Sequence, residues 1–410
     1  MTLTVMKFGG TSVADVEKIR RAAQRIEQKA DLGEKLIVVV SAMGKTTDHL
    51  VELAGQISAR PSACELDMLL STGEQITSSL LAMLLKEDGY DAAALTGWQA
   101  GFCTDDTHGN AKILKIKESA ISDYLEDQKI VVVAGFQGIS QSGRITTLGR
   151  GGSDTSAVAL AAAFKADLCE IYTDVAGVFT VDPRYVENAR KLDEISYDEM
   201  LEMAYLGAGV LHPRAVEYAK NAKVPLIVRS SFTNEKGTVV RESVSMENKR
   251  AVKGLAFEKN VAKLTLLGLP DHEDTLSKVF NVLADRQINV DIIIQNSFQE
   301  KETNLSFTID DASVPDAMEA LNDAKTILGY SGMDIESDLA KVSIVGSGMA
   351  SNPGVAAKMF AALNHNGIKV KMVSTSEIKV SAVIDESHLT SSLNVLHRVF
   401  ELEGAVIVNQ

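Results

Sequence analysis

At 410 residues the chain is too long for one ordinary domain, because a domain typically takes about 150 residues, and we expect two or three. The hydrophobic fraction of 45% and the charged fraction of 23% are typical of globular proteins and exclude a largely disordered chain. The net charge is −14, from 41 basic and 55 acidic residues without a long basic tract. This balance argues against nucleic acid as a partner.

Membrane and metal chemistry are not expected either. The longest apolar run, Ala157 to Phe164, is far shorter than the roughly 18 residues that cross a bilayer. Strand-like residues begin at Leu3, which leaves no room for a signal peptide, so we expect a cytoplasmic protein. The three cysteines lack CxxC spacing and the histidines form no HExxH motif, so no disulfide framework and no protein metal site are predicted.

The first 230 residues alternate between short β-branched runs and longer amphipathic stretches, a pattern that predicts an α/β domain with a mostly parallel sheet. The predicted strands are Leu3 to Phe8, Lys35 to Val40, Ile130 to Ala134, Leu168 to Thr173 and Pro225 to Arg229. The main predicted helices are Val16 to Gln28, Leu66 to Leu85, Thr155 to Phe164 and Pro213 to Ala222. Ligands of such sheets bind beyond the carboxyl ends of the strands.

The last 150 residues contain an internal repeat. The polar stretch from Glu235 to Arg250 indicates a domain boundary, and after it the run Val261 to Gly268 resembles the run Leu339 to Gly346. Each copy is predicted to form strand, helix, strand, strand, helix, the order of a ferredoxin-like module. We therefore predict domains at 1–245, 246–337 and 338–410.

Three glycine-rich or polar clusters follow predicted strands in the first domain. Lys7-Phe-Gly-Gly-Thr-Ser12 combines a cation with two glycines before a helix, which suits a phosphate, although a Gly-Gly turn alone is often only a tight bend. In Gly149-Arg-Gly-Gly-Ser-Asp154 the arginine can grip a carboxylate or phosphate, while Ser153 or Asp154 can equally serve as a helix N-cap. The third cluster, Thr173 to Arg184, is polar enough for a surface loop.

Four ordered motifs resemble those of the aspartate kinases of the amino acid kinase superfamily. They are Lys7 to Val13, Ser71-Thr-Gly-Glu-Gln75, Gly149 to Asp154, and Thr173-Asp174 through Asp182-Pro-Arg184. The tandem repeat resembles the paired ACT domains of that family, so the resemblance covers essentially the whole chain. It implies an amino acid kinase fold, a mostly parallel open sheet flanked by helices, followed by two βαββαβ ACT modules.

The resemblance implies transfer of a phosphoryl group from ATP to the side-chain carboxylate of L-aspartate, with Mg²⁺ held mainly by the nucleotide. A carboxylate is ionised at neutral pH, so no general base is needed, and no histidine stands in any motif. The implied catalytic residues are Lys7 and Asp154. The implied nucleotide contacts are Lys7, Phe8, Gly9, Gly10, Ser41, Thr173, Asp174, Phe179 and Arg184. The implied aspartate contacts are Thr47, Glu74, Arg150, Gly151, Gly152 and Ser153.

For the repeat, the resemblance implies feedback by lysine, threonine or both, and assembly of a homo-oligomer through the ACT modules. The candidate effector contacts are Asp271, Asp274, Gln295 and Val370. Glu273-Asp274 replaces the Pro-Gly that is usual before the helix, and the added negative charge favours lysine. The family also suggests that the strand 252–257 completes the C-terminal module.

Met246 is placed to start a separate small subunit, which a shorter polypeptide beginning there would reveal. Two other functions remain open: a related acid kinase for another amino acid, and a catalytically inactive amino-acid sensor.

Overall fold

The computed structural model describes residues 2–207, 209–242, 250–299 and 302–404. The chain divides into two compact units. The first comprises Met1–Phe179 and Lys191–Asn248, and the second comprises Thr180–Arg190 and Lys249–Gln410. Met246, the predicted internal start, lies outside the described residues.

The first unit is built from an eight-stranded sheet and a small four-stranded sheet. Its strands are β1 (Leu3–Phe8), β2 (Lys35–Val40), β3 (Ala92–Leu95), β4 (Phe102–Thr104), β5 (Ile113–Ile116), β6 (Ile130–Ala134), β7 (Gln137–Ser140), β8 (Ile145–Thr147), β9 (Leu168–Thr173), β10 (Glu194–Ser196), β11 (Leu226–Ser230) and β12 (Thr238–Arg241). Its helices are α1 (Val16–Asp31), α2 (Thr46–Ile57), α3 (Ala63–Glu87), α4 (Ser119–Glu126), α5 (Gly152–Ala163), α6 (Tyr197–Tyr205) and α7 (Pro213–Ala222).

The large sheet runs in the order β10-β12-β11-β9-β1-β2-β6-β3. Within the described residues, every pairing in it is parallel except that of β11 with β12. The central strands are continuous apolar runs because helices cover both faces, and in β2 and β6 almost every residue is buried. The carboxyl ends of β1, β2, β6 and β9 therefore share one edge of the sheet.

The predicted α/β class and mostly parallel sheet are confirmed. Strands β1, β2, β6 and β9 have the predicted bounds, and β11 lies one residue later than predicted. The second sheet, of order β5-β4-β7-β8, is not predicted by the sequence pattern, because its strands have only three or four residues. Strand β12 is not predicted either, since it lies inside the polar stretch that indicates a domain boundary.

The second unit contains one six-stranded sheet, of order β14-β15-β13-β16-β18-β17. Its strands are β13 (Gly254–Pro270), β14 (Ile293–Gln299), β15 (Glu302–Asp310), β16 (Gly332–Val345), β17 (Met372–Thr375) and β18 (Lys379–Asp385). Its helices are α8 (Thr275–Asp285), α9 (Val314–Asp323), α10 (Lys325–Leu328), α11 (Val355–His365) and α12 (Leu389–Val399). Each predicted repeat therefore folds as strand, helix, strand, strand, helix.

Two long strands join the repeats of the second unit. The first part of β13, Gly254 to Glu258, pairs with Val345 to Lys341 at the end of β16, beside β18. The later part of β13, from Lys263 to Leu267, pairs with Glu336 to Gly332 at the start of β16, beside β15. Each long strand thus serves both modules, and the register shifts between its two parts.

The segment Thr180–Arg190 belongs to the second unit, although the third polar cluster, Thr173 to Arg184, begins in the first unit. Val181 and Val186 are buried in the same apolar cluster as Leu255 and Ile344. Thr180 is fixed there because its carbonyl accepts the N–H of Leu255 and its hydroxyl bonds Nε2 of His397. The chain therefore enters the second unit twice, first at Thr180 and again at Lys249.

Among the described residues one helix, α3, is long and apolar enough to cross a membrane by length and composition alone. Half of its apolar window is buried inside the protein. Its buried residues include Leu81 and Leu85, which pack in the core against α1 and β2. Core packing accounts for the apolar residues on the buried part of this helix.

We predict that Leu255→Ala destabilises the C-terminal module by about 2–5 kcal/mol, because it leaves a cavity in a cluster where Leu255 is 1% exposed. Hydrogen exchange of the β16 amides from Lys341 to Val345 measures the change. Leu267→Ala is the matched control, since this leucine lies on the same strand and is 38% exposed. Equal protection in both variants would contradict a structural role for the 254–258 segment in that module.

Candidate active site

A buried ion pair lies where β1 and α5 meet. The Nζ atom of Lys7, near the end of β1, is 2.6 Å from Oδ1 of Asp154 in the first turn of α5, and both side chains are almost out of solvent. Helix α5 is capped by Gly151, which has a φ of 68°, so the suggestion that Ser153 or Asp154 is the N-cap is wrong. Asp154 is thereby free to face Lys7.

The first glycine pair permits close approach at the end of β1. A Cβ on Gly9 would lie 3.2 Å from Lys7 Nζ, and a Cβ on Gly10 would lie 2.9 Å from the carbonyl oxygen of Ala42. The N–H of Gly9 donates to the Tyr172 carbonyl of β9, which ties the loop to the neighbouring strand. Any larger residue at Gly10 would push the loop away from the turn that follows β2.

Glu74 is a buried carboxylate with an unused oxygen. It is 3% exposed on α3, and its Oε1 accepts the backbone N–H of Ala42 at 3.0 Å. Its Oε2 is buried without a hydrogen-bond partner. Burial raises the pKa of Glu74 to about 8. Gly73 explains the close packing of α3 here, because a Cβ on it would lie 2.7 Å from that of Ala42.

The second glycine cluster forms a loop between β8 and α5. Gly149 and Gly151 have φ values of 77° and 68°, a region that favours glycine. The Arg150 side chain between them is exposed, and Ser153 is buried against Gly135 at the end of β6. The loop therefore presents an exposed arginine four residues before Asp154 of the buried pair.

The remaining predicted nucleotide and substrate residues are spread over three loops. Ser41 follows β2 and Thr47 lies in the first turn of α2, both half-buried. Thr173 ends β9 and donates a hydrogen bond to the exposed Asp174 at 3.0 Å. Phe179 pairs with Lys191 at the edge of the first unit.

Arg184 differs from these residues because it belongs to the second unit. There its exposed guanidinium forms an ion pair with Asp182 at 2.6 Å.

The candidate effector residues all lie in the second unit. Asp271 and Asp274 are exposed in the loop between β13 and α8, and Gln295 is exposed on β14. The ion pair of Asp274 with Lys278, at 2.6 Å, lowers the pKa of that carboxyl. Val370 packs half-buried against the core of the C-terminal module.

Two positions near the site were missed by the sequence analysis. The backbone of Ala42 binds Glu74 and meets Gly10. Phe136 has a φ of 69°, which is strained for a residue other than glycine, and it lies 2.8 Å from where a Cβ on Gly152 would be. Both follow strands at the shared edge, so the strand-end rule would have found them even though neither carries a charge.

The arrangement suits a small ligand that has both an ammonium and an anionic group. Glu74 supplies an unpaired carboxylate oxygen inside the protein, and Arg150 and Lys7 supply cations. The glycine turns bring backbone close to whatever binds between them. The described residues contain no group of three or more His, Cys, Asp or Glu side chains that could hold a metal ion.

We predict that Glu74→Gln stabilises the ligand-free protein more at high pH than at low pH. The raised pKa means that folding favours the neutral carboxyl, so this stability is present below the unfolded value and is lost as the pH rises through about 8. The advantage of the variant should grow by up to about 1.4 kcal/mol per pH unit within that window. Urea unfolding between pH 5 and pH 8.5 measures it.

Glu87→Gln, an exposed substitution on the same helix, is the control and should give a curve parallel to the wild type. A Glu74→Gln curve that is also parallel would mean that Glu74 is already ionised in the folded protein.

Both parts of the chain match known families. Residues 2–230 match the amino acid kinase family, and residues 265–324 and 342–400 match the ACT domain. The chain is 58% identical over 410 residues to an aspartokinase of Bacillus sp. (strain MGA3), with complete coverage of both chains. It is 58% identical over 402 residues to aspartokinase 2 of Bacillus subtilis (strain 168), with 98% of each chain covered.

Solved structures agree over nearly the full length. The crystal structure of E. coli aspartokinase III in complex with aspartate and ADP is 27% identical, with a TM-score of 0.80 and coverage of 97% of this chain and 99% of that one. The complex of the same enzyme with lysine and aspartate is 28% identical, with a TM-score of 0.75 and the same coverage. With more than half of its residues shared with aspartokinases along its whole length, the chain belongs to the aspartokinase family.

Proposed function

We propose that this chain is an aspartate kinase, which transfers the γ-phosphoryl group of ATP to the side-chain carboxylate of L-aspartate and forms 4-phospho-L-aspartate and ADP. The choice of an amino acid as the substrate rests on one observation. A carboxylate oxygen of Glu74 is buried without a partner beside the first glycine loop. A buried acceptor of this kind is costly unless a ligand satisfies it, and the ammonium group of an amino acid does so.

The carboxylates of the substrate require the opposite charge. The exposed fork of Arg150 can donate two hydrogen bonds to one carboxylate, and Ser153 lies three residues further on, in the first turn of α5. Thr47, Gly151 and Gly152 complete the proposed aspartate contacts. Two anchors of opposite sign would hold the ammonium and carboxylate groups on the α-carbon and direct the side-chain carboxylate toward the nucleotide.

The transfer itself needs charge neutralisation and alignment. An oxygen of the ionised side-chain carboxylate attacks the γ-phosphorus, and the bond from that phosphorus to the β–γ bridging oxygen breaks, so no proton has to move. Nζ of Lys7 lies 3.2 Å from where a Cβ on Gly9 would be and 2.6 Å from Oδ1 of Asp154, which holds it in place. The proposed roles are phosphate stabilisation for Lys7, Gly9 and Gly10, and orientation for Asp154.

The nucleotide would be held by the backbone at Phe8, whose ring is buried in the core, by Ser41, and by the part of the third polar cluster in the first unit, Thr173, Asp174 and Phe179. E. coli aspartokinase III has been solved with ADP, which supports a nucleotide site in this fold. Magnesium, when bound to the phosphates, would neutralise their charge. Asp154 is the carboxylate that pairs with Lys7, and the described residues contain no group of three or more metal-binding side chains, which fits a metal ion that is carried mainly by the nucleotide.

We predict that Lys7→Ala and Asp154→Asn each lower kcat by about 100-fold or more, because each removes an electrostatic contribution to the transition state. Trapping the acyl phosphate with hydroxylamine measures turnover, and circular dichroism checks folding. Since removing one partner of a buried pair destabilises the other, Lys7→Arg serves as a charge-retaining second variant.

Near-normal turnover in folded variants would refute these roles. Turnover with glutamate and not aspartate would support the related acid kinase. Effector binding without any turnover in the wild type would support the inactive sensor.

We further propose that end-product amino acids regulate the enzyme through the second unit. E. coli aspartokinase III has been solved with lysine, and the ACT match covers both repeats of this chain. Asp271, Asp274, Gln295 and the backbone near Val370 are the proposed contacts. The carboxylate of Asp274 already pairs with Lys278, so the ammonium of an effector would have to displace that lysine.

We predict that Asp274→Ala and Gln295→Ala weaken inhibition by lysine, threonine or their mixture, while kcat without effector stays within about 2-fold of the wild type. An effector shifts an equilibrium only through its differential affinity, typically about 1–3 kcal/mol, so the loss of one contact can remove most of the effect. Inhibition curves measure this. Asp316→Ala on α9, a helix that supplies none of the proposed contacts, is the control, and unchanged curves for both test variants would move the effector site elsewhere.

A further inference from the structure

Helix α7 begins with residues that no proposed substrate or nucleotide contact uses. His212 is its N-cap, Pro213 takes the first helical position and Arg214 follows. The side chains of His212 and Arg214 both reach the loop between β8 and α5, at Gly151 and Leu148 respectively. That loop carries Arg150, the proposed anchor of the aspartate carboxylate.

Arg214 joins two loops through its guanidinium. Its Nη1 donates to the carbonyl oxygen of Leu148 at 2.6 Å and to Oδ1 of Asn110 at 3.0 Å. Its Nη2 donates to the carbonyl oxygen of Ala111 at 2.9 Å. All three acceptors lie outside α7. The planar guanidinium of Arg214 therefore fixes the distance between the 110–111 loop and Leu148, the residue before Gly149.

The 108–111 loop is itself fixed from the other side by a buried carboxylate. Asp67 of α3 is 1% exposed and accepts hydrogen bonds from the His108 ring, the N–H of Gly109 and the hydroxyl of Thr147. Gly149 rests on this loop, since a Cβ on it would lie 2.9 Å from the Gly109 carbonyl oxygen. The base of the second glycine cluster is therefore braced by Asp67 and Arg214 together.

His212 occupies the space beside Gly151. A Cβ on Gly151 would lie 2.1 Å from the Cγ atom of His212, which is far inside contact distance. The backbone N–H of Arg214 donates to Nδ1 of His212, which sets the orientation of the ring. The His212 ring and the left-handed conformation of Gly151 together restrict the backbone path from Arg150 to Ser153.

We propose that Arg214 and His212 are positioning residues for the substrate carboxylate, which act by holding the 148–152 loop so that Arg150 and Ser153 are set for aspartate. This inference rests on the proposed function. An arginine that only anchored α7 would need one acceptor, whereas Arg214 binds three acceptors in two segments that flank the glycine cluster. Its effect should therefore fall on aspartate and not on the nucleotide.

The test is steady-state kinetics of the full chain with Arg214→Gln and Arg214→Lys. Lysine keeps the charge but is a single point donor, so it cannot bridge both loops. We expect each variant to raise the KM for aspartate by about 10-fold, the cost of losing one or two hydrogen bonds, and the KM for ATP by less than about 3-fold. His212→Asn supplies a side-chain oxygen as the capping acceptor in place of Nδ1 while emptying the space beside Gly151, and should also raise the aspartate KM.

A double-mutant cycle separates positioning from a merely structural role. If Arg214 acts through Arg150, then Arg214→Gln should cost less than about 2-fold in aspartate KM when Arg150→Gln is already present. Additive costs, or equal rises in both KM values, would overturn the inference. Arg241→Gln is the control, since Arg241 pairs with Glu194 on strands at the far edge of the sheet and should leave both KM values unchanged.

The failure of this inference is distinguishable from that of the proposed function. A wild-type chain that does not phosphorylate aspartate removes the function itself. An active wild type in which Arg214→Gln and Arg150→Gln add independently removes only the positioning role. Melting curves of each variant show whether the fold is intact, and Arg214→Lys and His212→Asn keep the test decisive if Arg214→Gln does not fold.

Discussion

The buried ion pair between Lys7 and Asp154 constrains the whole first unit. Removing two charges from water costs several kcal/mol per ion, so each is tolerated only because the other lies 2.6 Å away. Lys7 belongs to β1 and Asp154 to α5, elements separated by more than 140 residues of chain. Their meeting requires β1, β9 and β2 to be in register and α5 to start at Gly151. The turns on either side of the pair contain glycines, because a side chain there would fill the space next to the two charges.

At the same edge of the sheet, two features lower the stability of the ligand-free protein and favour ligand binding. Glu74 is buried with one unpaired oxygen, and Phe136 adopts a left-handed conformation that costs about 1–3 kcal/mol. Neither feature helps the ligand-free chain to fold. Both lie beside the glycine loops. Asp67 and Arg214 bind Thr147 and Leu148, and the N–H of Leu148 donates to the carbonyl of Phe136, so these bonds help to hold Phe136 in place. A preorganised site of this kind needs no rearrangement when charge develops during phosphoryl transfer.

The second unit is built on a different principle, the sharing of long strands. β13 and β16 pair with each other along both of their parts. On the outer sides, β15 pairs with β13 and β18 pairs with β16, so the two modules form one continuous sheet. Its core also includes Val181 and Val186, which lie between two stretches of the first unit along the chain. The third polar cluster, with its proposed nucleotide contacts, is thus divided between the units at Phe179 and Thr180.

The sequence by itself determined the fold class, most central strands, the repeat and the family, because these depend on local periodicity and on motifs of adjacent residues. Lys7, Glu74 and Asp154 could be named from such motifs. Only the tertiary structure decided that Glu74 has an unpaired oxygen, that Gly151 and not Ser153 caps α5, and that Arg214 braces the loop of Arg150. These properties arise from contacts between residues tens to hundreds of positions apart, and burial and hydrogen-bond partners have no signature in any short stretch of sequence.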